Sequence, residues 1–432
     1  MNIQFVEWAS VDEDQREALI QRPAMKSDQE TRSKVQSIID DVIQRGDEAV
    51  LEYASRFDGV QLESLRVDRD EVAWAESQLS AESVNAIDVA IRNVRLFHEA
   101  QAPAEVDVET MPGVRCRRIS QPLDSVGLYV PAGTAPLPSA AVMLAVPAAI
   151  AGCPTKVLCT PPRPDGHADP SVIVAATRAG VSEIFKAGGA QAIAAMAYGT
   201  ETVPKTLKLF GPGNAWVTAA KSIVSGDANG AAIDLPAGPS EVLVIADRNA
   251  NAEYVASDLL SQAEHGTDSQ VVLLTTSTEF ATRVKAELES QLTDLSRSEI
   301  AAAALSHSRL IVVDSLDTAV EVSNRYAPEH LIIQADNASA LLSGIRNAGS
   351  VFVGPWTPES VGDYCSGTNH VLPTYGFARN YSGLGLDQFM RQMTIQELTR
   401  EGLEGLAPSI LELASLEGLD AHAAAVSRRL GS

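Results

Sequence analysis

The segment Glu241-Val242-Leu243-Val244-Ile245 is followed by a helical pattern and then by Gln270-Val271-Val272-Leu273-Leu274, a second short run of apolar and β-branched residues. Such runs are typical of buried strands, and their alternation with helices predicts parallel sheets covered by helices on both faces. About eight runs of this kind occur between residues 126 and 353. We therefore predict an α/β fold with two parallel sheets rather than one.

Helical sequence patterns flank this alternation on both sides. Over residues 27–98 apolar residues recur every three or four positions, and helical patterns return after residue 384. The segment 233–240 carries two prolines and a glycine, which interrupt both periods and mark a boundary. We predict a mainly helical region over residues 1–113, two sheet domains over residues 114–238 and 239–383, and a helical C-terminal segment over residues 384–432.

The composition of the 432 residues argues against several classes of function. The net charge of -23 repels nucleic acid and anionic lipid, and no basic patch offsets it. The N-terminus has no signal-peptide pattern, and the longest apolar stretch, residues 140–151, is too short to span a bilayer. The four cysteines form no CxxC pair, so reduced thiols are expected. We expect a cytoplasmic protein that binds small molecules and neither nucleic acid nor membranes.

Three glycine-containing loops follow predicted strands and precede helices. They read VPAGT at 130–134, GGAQ at 188–191 and GPGN at 211–214. Backbone N–H groups in such loops can approach a phosphate closely, although each loop taken alone is more often an ordinary turn. The chain has no G-x-G-x-x-G motif, which weakens a dinucleotide site inferred from the loops alone.

Two segments in the second half of the chain combine imidazole with carboxylate or amide groups. Gln262 and His265 lie three residues apart near the end of a predicted helix, so they can share a ligand. Pro328 ends a helix before Glu329-His330, where a carboxylate beside an imidazole can supply a water-activating acid and a proton-accepting base. Read alone, His265 is more often a helix-terminal residue, and Glu329-His330 is as often a plain turn.

Two further segments carry paired polar side chains. Asp363 and His370 lie on a glycine-bracketed loop, and Glu417 and His422 lie at or in the last helix. Alone, Asp363 is as often a turn former, and the second pair is usually a solvated helix face. Five of the seven histidines fall in the second half, most of them beside carboxylate or amide partners. Together these imidazole and oxygen groups predict an open Zn²⁺ or Mn²⁺ site that accepts substrate.

Seven longer segments together resemble those of the histidinol dehydrogenase family. They lie at residues 126–131 (VGLYVP), 188–194 (GGAQAIA), 210–214 (FGPGN), 236–241 (PAGPSE), 262–266 (QAEHG), 324–330 (NRYAPEH) and 369–374 (NHVLPT). The resemblance implies two incomplete Rossmann-like parallel-sheet domains, the first binding NAD and the second holding the metal and the catalytic residues. It also implies oxidation of L-histidinol through an aldehyde to L-histidine with two NAD and one water, the closing step of histidine biosynthesis.

The same resemblance implies roles for single residues. The implied zinc ligands, which also contact substrate, are Gln262, His265, Asp363 and His422. Glu329 and His330 form the implied acid/base pair, and His330 also contacts substrate. The other implied substrate contacts are Ser240, His370 and Glu417, and the implied NAD contacts are Tyr129, Gln191 and Asn214. Family members are intertwined homodimers, so Glu417 and His422 are expected to complete the neighbouring subunit's site.

Two positions depart from the family pattern. Ala132 stands where a second glycine is usual, and it would be strained if that position required a positive φ. Trp216 stands where tyrosine is commoner. Neither position is an implied zinc ligand or a member of the acid/base pair.

Three rival functions are compatible with the residues. A sulfopropanediol dehydrogenase of the same family would oxidise a sulfonated diol, although residues 358–360 (PES) and 369–370 (NH) favour histidinol. A zinc hydrolase would use the same ligands, with Glu329 activating water and no need for NAD. A non-enzymatic binding protein would catalyse nothing.

Overall fold

The two predicted parallel sheets are confirmed in the computed structural model, which describes residues 3–22, 29–132, 135–236 and 238–431. The strands are β1 (Gln4–Glu7), β2 (Val106–Met111), β3 (Val114–Pro122), β4 (Ser125–Tyr129), β5 (Thr155–Thr160), β6 (Glu183–Lys186), β7 (Lys208–Phe210), β8 (Ala232–Ile233), β9 (Glu241–Ala246), β10 (Gln270–Thr275), β11 (Arg309–Val312), β12 (His330–Gln334), β13 (Ser350–Val353) and β14 (Met390–Leu398). The helices are α1 (Glu13–Ile20), α2 (Gln29–Arg45), α3 (Asp47–Tyr53), α4 (Arg69–Gln78), α5 (Ala81–Glu99), α6 (Pro138–Ala151), α7 (Pro170–Arg178), α8 (Gly189–Tyr198), α9 (Ala215–Ser225), α10 (Ala252–Ala263), α11 (Thr278–Leu292), α12 (Ser298–Leu305), α13 (Leu316–Tyr326), α14 (Ala338–Leu341), α15 (Glu359–Tyr364), α16 (Arg400–Glu417) and α17 (Asp420–Leu430).

Five strands form one parallel sheet in the order β6-β5-β4-β7-β8. Alternate residues point into two cores, Val126 and Leu158 into the core under α6 and α7, and Tyr129 and Val157 into the core under α8 and α9. Both faces are therefore buried, which is why these strands are continuous apolar runs. The strand order reverses between β4 and β7, and ligands of parallel sheets bind in the crevice at the carboxyl ends of strands around such a reversal.

Six strands form the second parallel sheet in the order β1-β11-β10-β9-β12-β13. Its order reverses between β9 and β12, and α10, α11 and α12 cover one face while α1 and α13 cover the other. The edge strand β1 comes from the region predicted to be mainly helical, and it pairs with Arg309–Val312 of β11. The first described strand is thereby attached to the edge of the second sheet.

The prediction of a helical C-terminal segment is wrong for its first part. Met390–Leu398 forms β14, which pairs antiparallel with the whole of β3, and β2 completes this three-stranded sheet. The strand is mostly exposed and polar, so its conformation depends on pairing with a distant segment rather than on a local pattern. Helices α16 and α17 follow as predicted and pack against each other.

The predicted boundary at residues 233–240 coincides with the connection between β8 and β9, which belong to different sheets. The four domain limits stay predictions. Gly133 and Thr134 of the first glycine loop, and Ala237 of the connection, lie outside the described residues. Within the described ranges, no helix combines the length and the apolarity that a membrane span requires.

Candidate active site

A cavity of about 1320 Å³ is lined by residues that belong to both parallel sheets. Pro131 and Asn214 follow the carboxyl ends of β4 and β7, the two strands that flank the reversal of the five-stranded sheet. Ser240 and Glu329 precede the amino ends of β9 and β12, the two strands that flank the reversal of the other sheet. The cavity therefore joins the carboxyl edge of one sheet to the amino edge of the other.

Three potential metal-binding side chains meet in this cavity. One ligand atom each of His265, Glu359 and Asp363 lies within 4.8 Å of the others. His265 follows the C-terminal end of α10, and the two carboxylates lie on α15. The structure thus brings together two of the four predicted ligands and adds Glu359. Sequence reasoning missed Glu359 because a glutamate directly after Pro358 is an ordinary start of a helix.

Gln262, a third predicted ligand, is buried at the end of α10 and lines the same cavity. In the amide orientation that satisfies its neighbours, its nitrogen donates to Glu359 Oε1 at 2.7 Å and lies 2.9 Å from His330 Nδ1. The amide oxygen then points away from the carboxylate. His265 and Asp363 line the same cavity as this side chain.

The predicted acid/base pair, Glu329 and His330, is almost completely buried at the start of β12 and lines the cavity. Glu329 Oε2 lies 3.7 Å from His330 Nδ1. Burial raises the pKa of Glu329 well above its usual value, because a charged carboxylate loses solvation there. Burial also lowers the pKa of His330 to about 4. Opposite shifts of this kind favour a protonated carboxyl beside a neutral imidazole.

The two nitrogens of His330 have different surroundings. Nδ1 lies 3.2 Å from the carbonyl oxygen of Glu241 and close to Gln262. Nε2 is buried and has no hydrogen-bond partner among the described residues, and it lies 3.9 Å from Asp363 Oδ1. Nε2 is therefore the nitrogen that can exchange a proton with a ligand in the cavity.

His370 and Ser240 complete the set of predicted substrate contacts on this side of the cavity. His370 Nδ1 lies 2.9 Å from the backbone oxygen of Asp363, and burial lowers the pKa of this imidazole. The preceding residue, Asn369, is buried and donates to the backbone oxygen of Met143 in α6. This bond fixes the loop that carries His370 to the five-stranded sheet's helical layer.

The three predicted NAD contacts lie at the carboxyl edge of the five-stranded sheet, where Tyr129 ends β4 and Gln191 and Asn214 follow β6 and β7. Asn214 lines the cavity and caps α9, where its side-chain oxygen accepts from the backbone N–H of Trp216 and of Val217. Tyr129 and Gln191 are buried and do not line the cavity. The Tyr129 hydroxyl accepts a hydrogen bond from the Gly189 N–H at 3.0 Å, so it holds the second glycine loop.

The glycine loop after β7 is tightly fixed. Gly211 has a φ of +119° and passes so close to Tyr129 that a Cβ would lie 2.1 Å from the Tyr129 carbonyl oxygen. Beneath it, Lys221 Nζ donates to Asp234 Oδ1 at 2.5 Å and to the Gly211 carbonyl at 2.9 Å. By contrast, Ala132 does not have a positive φ, so the strain considered for that position does not arise.

The remaining predicted residues, Glu417 and His422, do not line this cavity. Glu417 ends α16 and His422 lies in the first turn of α17, and both are exposed. The fourth predicted zinc ligand is thus not brought to the other three within this chain.

The chain is similar to known proteins over nearly its whole length. The family model described as histidinol dehydrogenase matches residues 20–430. Histidinol dehydrogenase from Escherichia coli (strain K12) is 53% identical over 428 residues, covering 99% of this chain and 98% of that protein. The chain is also 52% identical to a putative histidine biosynthesis bifunctional protein of Photorhabdus laumondii, of which it covers 52%.

A solved structure leads to the same family. The crystal structure of histidinol dehydrogenase from Elizabethkingia anophelis has a TM-score of 0.95 and 46% identity, and the match covers 99% of this chain and 98% of that one. Family match, sequence identity and fold therefore agree over both sheets and the C-terminal helices. The chain belongs to the histidinol dehydrogenase family of oxidoreductases.

Proposed function

We propose that the protein is a zinc-dependent enzyme that oxidises L-histidinol through L-histidinal to L-histidine with two NAD and one water, the final step of histidine biosynthesis. One observation carries the proposal: a single cavity holds the cluster of imidazole, carboxylate and amide groups, the pair Glu329 and His330, and the glycine loop that ends at Asn214. An alcohol dehydrogenase needs a metal or polar anchor, a base and a dinucleotide site within reach of one carbon atom.

The donor set fits zinc. An imidazole nitrogen, a carboxylate oxygen and an amide oxygen from His265, Asp363 and Gln262 match the nitrogen and oxygen ligands of open zinc sites. Glu359 supports this set by accepting the amide N–H of Gln262, which fixes the orientation of that amide. When bound, zinc would hold the substrate's imidazole and amine and thereby orient its alcohol carbon.

Glu329 and His330 carry out the proton transfers of the proposed reaction. Burial lowers the pKa of His330 and keeps the imidazole neutral. In the tautomer that carries its proton on Nδ1, that N–H faces the Glu241 carbonyl oxygen at 3.2 Å and the Gln262 nitrogen donates to Glu359 only. The unpartnered Nε2 then accepts the hydroxyl proton of the alcohol, whose hydride would pass to NAD. After His330 has released that proton, it takes a proton from the water that adds to the aldehyde, and Glu329 orients that water. The resulting hydrate would lose its C–H hydrogen as hydride to the second NAD, which leaves the carboxylate of histidine. We expect Glu329→Gln and His330→Gln to lower kcat by about 100-fold or more, with zinc content unchanged.

The NAD contacts are proposed at Tyr129, Gln191 and Asn214. Asn214 lines the cavity at the N-terminal end of α9, where the positive end of the helix dipole favours a phosphate. The Tyr129 hydroxyl holds the second glycine loop by accepting the Gly189 N–H, and Gln191 lies beside the same glycine in the first turn of α8. The crevice between β4 and β7 is the expected dinucleotide position in a sheet of this order.

Glu417 and His422 are proposed to act in the cavity of a second copy of this chain in a homodimer. Both are exposed, and the same part of the chain exposes Leu413, Leu416 and Leu419, an apolar surface that a second copy would cover. We expect His422→Ala to lose zinc and activity. Mixing inactive His330→Gln subunits with inactive His422→Ala subunits should restore some activity, and no recovery after verified subunit exchange would contradict the shared site.

The direct test is the assay of NADH formation with L-histidinol, with a sulfonated diol as the control substrate. The proposal requires turnover of histidinol and formation of histidine. Turnover of the sulfonated diol alone would favour the rival dehydrogenase, and zinc binding without stabilisation by NAD would favour a hydrolase. We place the enzyme in the cytoplasm, which agrees with its four free cysteines.

A further inference from the structure

Glu241, the first residue of β9, contacts both members of the acid/base pair without lining the cavity. Its backbone N–H donates to Glu329 Oε2 at 3.0 Å, and its side-chain Oε1 accepts from the Glu329 backbone N–H at 3.2 Å. Its carbonyl oxygen lies 3.2 Å from His330 Nδ1. One residue therefore fixes the carboxyl of Glu329, the backbone of Glu329 and the ring of His330.

The side chain of Glu241 is itself held by Arg22, which reaches it from the end of the N-terminal segment. The guanidinium donates to both carboxylate oxygens, through Nε at 2.5 Å and through Nη2 at 2.7 Å. The exposed fractions of the two side chains are only 9% and 2%. A two-pronged bond of this geometry sets both the position and the plane of the carboxylate.

Arg22 also holds the turn that leads into the catalytic pair. Its Nη2 donates to the carbonyl oxygens of Tyr326 at 2.8 Å and of Ala327 at 3.2 Å, and its guanidinium lies 3.9 Å from the centre of the Tyr326 ring. Tyr326 in turn donates from its hydroxyl to Gln270 Oε1 at 2.8 Å. The arginine is thus bound to the chain on both sides of Glu329: to β9 through Glu241 and to the α13–β12 turn through two carbonyls.

Backbone strain is concentrated at the same place. Within the described residues, the non-glycine positions with positive φ are Ala327 at 54° and Tyr375 at 57°. Ala327 accepts a hydrogen bond from Arg22, and the Tyr375 ring centre lies 5.9 Å from the same guanidinium. Strained residues persist only where the surroundings determine their conformation, and they cluster at functional sites. Both of these strained positions adjoin the contacts of Arg22.

We infer that Arg22 and Glu241 are positioning residues that hold Glu329 and His330 in the geometry of the reaction. The inference rests on the proposed function. Neither residue lines the cavity, so each acts through the pair that it touches. The N-terminal segment, attached to the sheet edge through β1, thereby supplies a residue on which the catalytic geometry depends.

The test compares Arg22→Met, Arg22→Lys and Glu241→Gln in the zinc-loaded protein. We expect Arg22→Met and Glu241→Gln to lower kcat by about 10- to 100-fold, as small displacements of reacting groups do, while KM for histidinol and zinc content change little. Arg22→Lys keeps the charge but loses the two-pronged bond, so it should recover part of kcat. Leu288→Ala, in the buried face of α11, is the control: it destabilises the core on the opposite face of the same sheet without touching the pair.

A wild-type kcat in zinc-loaded Arg22→Met, or a loss no larger than that of Leu288→Ala, would overturn the inference. If the proposed function is wrong, the wild-type protein itself will not oxidise histidinol, and this result is separate from a failure of the positioning role. In that case ¹⁵N signals of the His330 ring, identified with His330→Gln, decide the question. They should shift in Arg22→Met and stay unchanged in Leu288→Ala, and unchanged signals in both would contradict the positioning role.

Discussion

Replacing Lys221 with Met removes the positive charge from an ion pair that is buried beneath the glycine loop after β7. The side chains of Lys221 and Asp234 are only 7% and 0% exposed, and the lysine also donates to the Gly211 carbonyl. Loss of one partner of a buried pair costs about 3–5 kcal/mol, since the other charge stays buried. Asp234 keeps the N–H donors of Gly211 at 2.8 Å and Leu235 at 2.7 Å, so we expect the lower end, about 3 kcal/mol.

The substitution Lys221→Met should also weaken NAD binding at the proposed cofactor site, because the loop that Lys221 holds ends at Asn214. We expect NAD to bind Lys221→Met about 10-fold more weakly, equivalent to about 1.4 kcal/mol. Urea unfolding measures the stability and calorimetric titration measures NAD binding. In the double variant Lys221→Met with Asp234→Asn the two changes should be less than additive by about 1 kcal/mol or more.

The matched control is Arg178→Met, which breaks the exposed ion pair between Arg178 on α7 and Asp88 on α5. Its side chains are 38% and 42% exposed, so we expect less than about 1 kcal/mol of destabilisation. If Lys221→Met is as mild as this control, or if its effect adds fully to that of Asp234→Asn, the buried pair does not hold the loop as described.

Three further predictions address other parts of the site. Gly211→Ala should cost about 2 kcal/mol or more and weaken NAD binding, because its Cβ would meet the Tyr129 carbonyl; Gly152→Ala, with a positive φ and no neighbour within 4 Å, should cost only about 1 kcal/mol in thermal unfolding. Burial raises the pKa of Asp258 to about 7. Between about pH 4 and 7 this carboxyl is therefore ionised in the unfolded chain but still protonated in the folded one, so the free energy of unfolding of the wild type should fall as pH rises through this range. The free energy of unfolding of Asp258→Asn, relative to that of the wild type, should therefore rise by up to about 1.4 kcal/mol per pH unit in this range. A difference in stability that does not change with pH would refute the raised pKa of Asp258. Glu359→Ala should weaken zinc retention by about 10-fold or more in a competition with a chelator, whereas equal retention would mean that Gln262 needs no such support.

The fold could be predicted from sequence where burial on both faces produced continuous apolar runs. The strands β9, β10 and β12 are buried at every position, so each can be recognised from its own sequence without knowledge of its partner strands. The strands β1, β2 and β14 are short, exposed or polar, and they depend on pairing with distant segments. Between residues 126 and 353 the sequence predicts about eight strand-like runs, whereas the described part of the chain forms ten strands from β4 to β13, of which β8 has only two residues.

The candidate site was predictable to a similar extent. Gln262, His265, Glu329, His330, Asp363 and His370 lie on motifs that a family resemblance identifies, and all six line the cavity. Glu359 looked like an ordinary helix start, and its burial arises only when α15 packs beside α10. Arg22 and Glu241 are separated by 219 positions, so no local pattern connects them. Supporting residues of this kind become visible only when the chain has folded.

The most direct test of the account is the stoichiometry of NADH and histidine formed from L-histidinol by the zinc-loaded protein. We predict two NADH and one histidine for each histidinol consumed, with activity lost after chelation and restored by zinc. Under the proposed function, this oxidation depends on the cavity that joins the proposed zinc ligands, Glu329, His330 and the glycine loop that ends at Asn214. A fully zinc-loaded protein that forms no NADH from histidinol would contradict the account.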